Sequence, residues 1–127
     1  MAIRTELTLV IENKLGAGAR VFRHLADEHI NILAMQLEHT GLLRIVVDNP
    51  RRASALMRDR LFKVEQREVI YTLMPNDPGS LSRTAAMLAD AGVNVEYFYA
   101  TAMEGQSMAA VVIGVPDALR VSAAAGI

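Results

Sequence analysis

The chain has 127 residues, no cysteine, and 13 basic against 14 acidic residues, for a net charge of −1. This balance gives no long-range attraction to nucleic acid or to an anionic membrane surface, and the lack of cysteine excludes a disulfide framework. Hydrophobic residues make up 52% of the chain, which is enough to form a packed core and is not typical of a disordered protein.

The first half of the chain predicts five elements in the order strand, helix, strand, strand, helix. Apolar and β-branched runs indicate the strands, and the helical spacing of Ala17, Val21 and Leu25 indicates the first helix. The predicted elements are a strand at 6–12, a helix at 17–29, strands at 31–37 and 42–47, and a helix opened by Pro50. On this second helix Ala53, Leu56, Met57 and Leu61 fall on one face.

The second half repeats the first at an offset of 63 positions. The identities include Asn13 with Asn76, Gly16 with Gly79, Arg20 with Arg83, and Asn31 with Asn94. A repeat of this length indicates one structural unit used twice. The second copy therefore predicts a strand at 70–74, a helix closed by Gly92, strands at 93–101 and 107–114, and a final helix from Pro116.

Each copy reads β-α-β-β-α, and the first adds a strand at 62–69. This pattern predicts an α+β fold of two tandem ferredoxin-like (βαββαβ) units, whose antiparallel sheets carry helices on one face. We expect the first domain at 1–67 and the second at 68–127. When Pro116 is aligned with Pro50, residue 127 matches residue 61, so the second unit is expected to lack its last strand. Residues 62–69 or a second chain are expected to fill that open edge.

The candidate functional segment is the turn between the first strand and first helix of the second copy, Asn76-Asp77-Pro78-Gly79-Ser80-Leu81. Asp77 is predicted as the N-cap and Pro78 as the first helical residue, which leaves the amides of Gly79 and Ser80 unpaired. Free amides at a helix N-terminus favour a carboxylate, while the Asp77 carboxylate favours an ammonium group. Such a site suits a free amino acid, although many turns of this composition are purely structural.

This segment, followed by a helix and by Ala91-Gly92-Val93-Asn94-Val95, resembles the signature of ACT domains. The first copy, from Asn13 and Gly16 to Asn31, is a weaker instance, with Lys14, Leu15 and Gly18 where the second copy has Asp77, Pro78 and Leu81. The resemblance implies a ferredoxin-like unit used for regulation, with amino-acid effectors bound where units meet. It implies ligand-binding residues in the strand-to-helix loop, together with Asn31 or Asn94 near strand two of a neighbouring unit.

Strand two of each copy is apolar on both faces. In the first copy Ile32 and Ala34 alternate with Leu33 and Met35, and the second copy shows the same pattern around Tyr97. A sheet with helices on one face should be polar on the other. The apolar second face is therefore expected to be covered, by the other copy or by a second chain.

No catalytic residue, metal ligand or cofactor is predicted. His24 and His29 are five residues apart and do not share a helix face, and no cysteine could complete a metal site. Ser80 and Ser82 have no histidine and acid arranged as a nucleophile relay. The third strands lack the aromatic pair of RNA-recognition modules, and no apolar run reaches the ~20 residues of a membrane span.

The sequence thus predicts a non-catalytic, cytoplasmic regulatory protein that binds a small amino acid or a related metabolite. A homodimer or higher oligomer is expected, with neither nucleic acid nor membrane as a partner. One alternative is a regulatory subunit of an amino-acid biosynthetic enzyme, of the acetolactate synthase small-subunit type. Another is a structural oligomerisation module without a ligand.

Overall fold

A computed structural model describes residues 2–125, and its element order confirms the predicted ferredoxin-like repeat. Each copy supplies strand, helix, strand, strand and helix in turn. The elements are β1 (Ala2–Val10), α1 (Ala17–Asp27), β2 (Ile32–Leu37), β3 (Leu42–Val47), α2 (Pro50–Asp59), β4 (Glu65–Pro75), α3 (Ser80–Asp90), β5 (Tyr97–Thr101), β6 (Met108–Gly114) and α4 (Ala118–Ala125).

Two predicted boundaries differ from the observed ones. The two strands predicted at 62–69 and 70–74 form the single strand β4, because no turn residue interrupts the segment from Glu65 to Pro75. The strand predicted from residue 93 begins only at Tyr97. Val93 instead belongs to the turn that ends α3, where its amide donates to the Leu88 carbonyl at 3.0 Å.

The first compact unit spans Thr5–Arg67. In it β3 lies between β2 and β1, and both pairings are antiparallel. The inward residues of β1 and β3 alternate with period two, as Leu7 pairs with Ile45 and Leu9 with Leu43. The core of this unit joins them to fully buried residues of both helices, Val21 and Leu25 of α1 and Met57 of α2. An amphipathic face on each helix thus covers one face of the sheet.

The second compact unit contains the described residues from Glu68 to 125, together with residues 2–4. Its strand β6 lies between β4 and β5 and pairs antiparallel with both. Ile70, Leu88 and Ile113 form the centre of its core, and Ile3 packs against them. The guanidinium carbon of Arg4 lies 5.4 Å from the ring centroid of Tyr71, within cation–π range. We expected residues 62–69 or a second chain to fill the open edge of this unit. That expectation left out residues 2–4, which belong to this unit in the structure.

Helices α1, α2 and α3 end in the same Schellman turn, but only α3 has glycine at the left-handed position. After α2, the amide of Phe62 donates to the Met57 carbonyl and that of Leu61 to the Arg58 carbonyl, the pair of bonds that defines the motif. Leu61 has φ 68° and His29, after α1, has φ 56°. The prediction that Leu61 lies on the apolar face of α2 is wrong. The helix ends at Asp59 and the left-handed turn leaves the Leu61 side chain 94% exposed.

The sheet face away from the helices differs between the two units. In the first unit Arg44 on this face donates to Gln36 at 3.0 Å and to Glu38 at 3.1 Å, and its neighbour on the same face of β3, Val46, is fully buried. In the second unit the rings of Tyr97 and Tyr99 stack with centroids 6.3 Å apart. The Tyr97 ring lies on Gly114 so closely that a Cβ there would be 2.3 Å from it. The outer face is therefore mixed polar and apolar in the first unit, whereas in the second it carries the half-buried pair Tyr97 and Tyr99.

Candidate functional site

The strand-to-helix loop of the second copy is a type II turn, and this corrects the predicted helix cap. The Ser80 amide donates to the Asp77 carbonyl at 3.3 Å, and Gly79 has φ 91° and ψ −7°. These angles match the third residue of a type II turn, where glycine is favoured and proline commonly precedes it. Helix α3 begins at Ser80 with Gly79 as its N-cap and no side-chain cap. The prediction of Asp77 as N-cap and Pro78 as the first helical residue is therefore wrong.

The turn changes which backbone amides are available. The predicted free amide of Ser80 is already paired with Asp77. The first intrahelical bond runs from the Arg83 amide to the Gly79 carbonyl at 2.9 Å. The amides of Leu81 and Ser82 precede this bond and therefore have no acceptor within the helix. The positive end of the helix dipole lies at the same place, so the unpaired amides lie two residues later than predicted.

Asp77 is exposed and forms an ion pair with Arg83. The distance from Arg83 Nη2 to Asp77 Oδ1 is 2.7 Å, and about half of each side chain is exposed. Arg83 also lies over the turn, since a Cβ at Gly79 would be 3.2 Å from its Nη1. The loop therefore presents one carboxylate and one guanidinium side by side, together with the helical amides.

Asn76 anchors the β5–β6 hairpin. Its side-chain nitrogen donates to the carbonyls of Met103 and Gln106, each at 3.0 Å, and its backbone amide donates to the Ser107 carbonyl at 2.9 Å. Both side-chain N–H groups are thus used within the protein. Only the amide oxygen remains for a ligand, a restriction that the sequence did not reveal.

The first two residues of α3 differ in burial. Ser80 is buried, whereas Leu81 is 47% exposed. The buried residues of α3 are Ser80 and Leu88, so the Leu81 side chain lies outside the core. Pro78 and Gly79 are exposed, so the tip of the turn is accessible.

The first copy repeats the turn with different side chains. The Ala17 amide donates to the Lys14 carbonyl at 3.2 Å, and Gly16 has φ 82° and ψ −1°. Lys14 Nζ lies 2.7 Å from Glu12 Oε2. This contact lowers the pKa of the Glu12 carboxyl, first through the hydrogen bond from Lys14 and then through its charge.

Asn13 borders a cleft of about 270 Å³ beside this first turn. Lys14 and His39 line it together with Glu38, and Leu37 supplies an apolar wall. Acidic, basic and apolar groups therefore meet in one small cleft, which suits a zwitterionic ligand.

Asn31 and Asn94 each take part in local structure of their own unit. The Asn31 amide donates to Asp48 Oδ1 at 3.0 Å, and the Asp48 amide donates back to the Asn31 carbonyl at 3.1 Å. Asn31 thus fixes the entry into β2 through its backbone. Asn94 is exposed and lines a separate cleft of about 310 Å³ with Asp117 and Arg120.

Metal binding and membrane insertion depend on features that can be assessed in the described residues, 2–125. The described side chains include no group of three His, Asp or Glu residues placed to hold a metal ion. No helix in the described part of the chain is long and apolar enough to cross a membrane.

Comparison with known proteins identifies relatives of the whole chain. A family model described as an ACT domain pair matches residues 1–120. Protein BT0572 from Bacteroides thetaiotaomicron has a similar structure, with 30% identity and a TM-score of 0.87 over 96% of this chain and 85% of that one. The regulatory subunit of aspartate kinase from Thermus thermophilus, in its ligand-free form, is 19% identical with a TM-score of 0.73, over 97% and 89% of the two chains. The corresponding subunit from Thermus flavus is 16% identical with a TM-score of 0.73, over 98% and 90%. No curated protein matches the sequence.

Proposed function

The chain belongs to the ACT-domain family, and on this premise we propose that it is a regulatory protein that binds a small free amino acid at the Asp77 turn. The observation that carries the proposal is the type II turn from Asp77 to Ser80, after which the amides of Leu81 and Ser82 have no acceptor within the helix. These amides would bind the ligand carboxylate with the help of the helix dipole.

The side chains of the turn supply the rest of the recognition. The Asp77 carboxylate would accept from the ligand ammonium, and the Asn76 amide oxygen offers a further acceptor. Gly79 has no side chain, so a ligand can approach the backbone closely. Arg83 holds Asp77 in place at 2.7 Å and would also balance the charge of a bound carboxylate.

The regulatory role is extended from the relatives. Two similar structures are regulatory subunits of aspartate kinase, so we infer that ligand occupancy here is passed to an enzyme of amino-acid biosynthesis. Binding would shift the partner only if the ligand prefers one state of the complex over another. Co-purification of the native protein with a biosynthetic enzyme would support this regulatory role. Repeated recovery of the protein without any enzyme partner would contradict it.

A second position for the ligand is the cleft beside the first turn. The observation that favours it is the meeting of Lys14, Glu38 and His39 with an apolar wall at Leu37. Here Lys14 would bind the carboxylate and Glu38 the ammonium. The two positions use different residues, so variants separate them.

Calorimetric titration of the common amino acids tests the proposal. We expect one of them to bind, and we expect the double variant Asp77→Lys/Pro78→Leu, which gives the second turn the side chains of the first, to lose most of that affinity. The matched control is Lys14→Ala, which should bind as the wild type does. A melting-temperature rise with ligand concentration is a second readout, because a ligand at 100 times its Kd adds about 2.7 kcal/mol. Absence of both heat and melting shift for every amino acid contradicts the proposal.

A further inference from the structure

We propose that the first unit carries a separate binding site for a small organic dicarboxylate, in a cleft between α1 and the end of α2. The cleft has a volume of about 270 Å³, and its walls include Arg20, His24, Arg60 and Phe62. It lies on different residues from the Asp77 turn, so this inference stands apart from the proposed function.

Three basic side chains converge on the cleft from two elements. Arg20 and His24 are one helical turn apart on α1 and therefore neighbours on its surface, while Arg60 follows the last residue of α2. Within residues 2–125 the side chains of Arg20 and Arg60 have no ion-pair or hydrogen-bond partner. Other arginines are engaged, such as Arg44 with Glu38 and Arg83 with Asp77. Two unengaged guanidinium groups match two carboxylates, which they can each bind through paired hydrogen bonds.

The one acidic wall residue does not neutralise these arginines. Glu12 is paired with Lys14 at 2.7 Å, and Lys14 is the main cause of the lowered pKa of its carboxyl, with Arg20 a minor one. The Lys14 charge therefore offsets that of Glu12, and the cleft keeps a net positive charge from Arg20 and Arg60.

The apolar walls favour an organic ligand over a bare inorganic anion. Ile11 and Ala17 are buried and Phe62 is half-buried, so together they offer a surface for a short carbon chain between two charged ends. Ligand clefts of this kind are mainly apolar with a few convergent polar groups. A four-carbon dicarboxylate has both features, whereas inorganic phosphate has only the charge.

The backbone turn after α2 positions two of the cleft residues. Leu61 lies between Arg60 and Phe62 and adopts φ 68°, a conformation that is strained for a residue with a branched side chain. The turn directs the Leu61 side chain to solvent while both neighbours line the cleft. Strained backbone of this kind is often retained where side chains must be held in place for binding.

The second copy does not repeat this site. The residue equivalent to Arg20 is Arg83, which is bound to Asp77, and the residue equivalent to His24 is Met87. Arg83 therefore provides a matched control for Arg20, because it has the same position on the repeated helix.

The test is titration of the full chain with succinate, followed by calorimetry and by amide chemical shifts. We expect succinate to bind and to shift the amides of α1 and of residues 60–62. Arg20→Gln and Arg60→Gln should each weaken binding about tenfold or more, because each removes a charged group that would pair with a carboxylate. Arg83→Gln should leave succinate binding unchanged. Butyrate, with one carboxylate, and inorganic phosphate should both bind more weakly than succinate.

Any one of three outcomes would contradict the inference. Absence of heat and of amide shifts at millimolar succinate removes the site. Binding that survives both Arg20→Gln and Arg60→Gln, in variants whose amide spectra show the native fold, places the ligand elsewhere. Phosphate binding as tight as succinate contradicts the dicarboxylate class. Amino-acid binding at the Asp77 turn is measured separately and is expected to be unchanged in both variants.

Discussion

At residues 14–17 and 77–80 the chain makes the same type II turn, with glycine at φ 82° in the first copy and 91° in the second. The charges beside the turns are reversed. Lys14 pairs backward with Glu12, and Asp77 pairs forward with Arg83. A single glycine thus fixes the backbone, since few other residues tolerate this conformation. The side chains around it are free to differ, so the copies can share a fold and still differ in what they bind.

The hairpins that follow are held in different ways. In the first copy the Ile11 amide donates to the Gly41 carbonyl at 2.8 Å, and the approach is so close that a Cβ on Gly41 would be 2.2 Å from the Ile11 oxygen. In the second copy the side chain of Asn76 holds the hairpin through Met103 and Gln106. The hairpin of the first copy therefore depends on the missing side chain of Gly41, and that of the second copy on the side chain of Asn76.

The largest effect is expected for Gly41→Ala. A Cβ there meets backbone and also forces φ 91° on alanine, so the free energy of unfolding should fall by about 2–5 kcal/mol. Gly105→Ala is the matched control in the other hairpin, with φ 83° and open space around its Cβ, and should cost only about 1–2 kcal/mol. Urea unfolding of both variants measures the difference, and equal losses would show that the close approach at Ile11 does not matter.

The next effect concerns the repeated asparagines. Asn76→Ala removes two side-chain hydrogen bonds and should lower the free energy of unfolding by about 1–3 kcal/mol. Asn13→Ala removes an exposed side chain from the same position of the first copy and should stay within about 0.5 kcal/mol of the wild type. Thermal and urea unfolding give both values. A cost for Asn13→Ala as large as that for Asn76→Ala would contradict the difference described between the hairpins.

A smaller effect is expected where α1 and α3 end. His29→Gly relieves a left-handed residue with φ 56° and should raise the free energy of unfolding by about 1 kcal/mol, while Gly92→Ala should lower it by a similar amount. Space is not a factor at Gly92, since a Cβ there would meet nothing within 4 Å. Urea unfolding of both variants tests whether His29→Gly raises the free energy of unfolding and Gly92→Ala lowers it. Destabilisation by both substitutions would contradict the claim that both helix ends require a left-handed residue.

The smallest effect is electrostatic. Lys14→Gln should raise the pKa of the Glu12 carboxyl, because Lys14 is the main cause of its lowering. A lowered folded-state pKa adds stability above the unfolded pKa, and this contribution is lost as pH falls through the folded pKa. The variant should therefore lose a small amount of stability near neutral pH and none in strong acid. Carboxyl chemical shifts followed through a pH titration measure this change, and an unchanged Glu12 pKa in the variant contradicts the assigned cause.

The sequence predicted the order of elements because apolar periodicity is a local signal. It predicted the repeat because the identities at an offset of 63 residues can be read directly from the sequence. It misplaced the start of α3 because Asp77 and Pro78 fit a helix N-terminus as well as a turn. Pro78 followed by Gly79 is also the signature of a type II turn, which could have decided between them. The hydrogen bonds of Asn76 to a hairpin some 30 residues away, and the packing of Ile3 in the second unit, depend on long-range contacts that no local pattern reveals.

The most direct test of the central claim is to map the amide shifts of the labelled protein during titration with each common amino acid. The account predicts that one ligand shifts the amides of Leu81 and Ser82 and the signals of the Asp77 turn, while the equivalent residues 14–19 remain unchanged. A complete panel without shifts at residues 77–82, or shifts confined to the first turn, would contradict it.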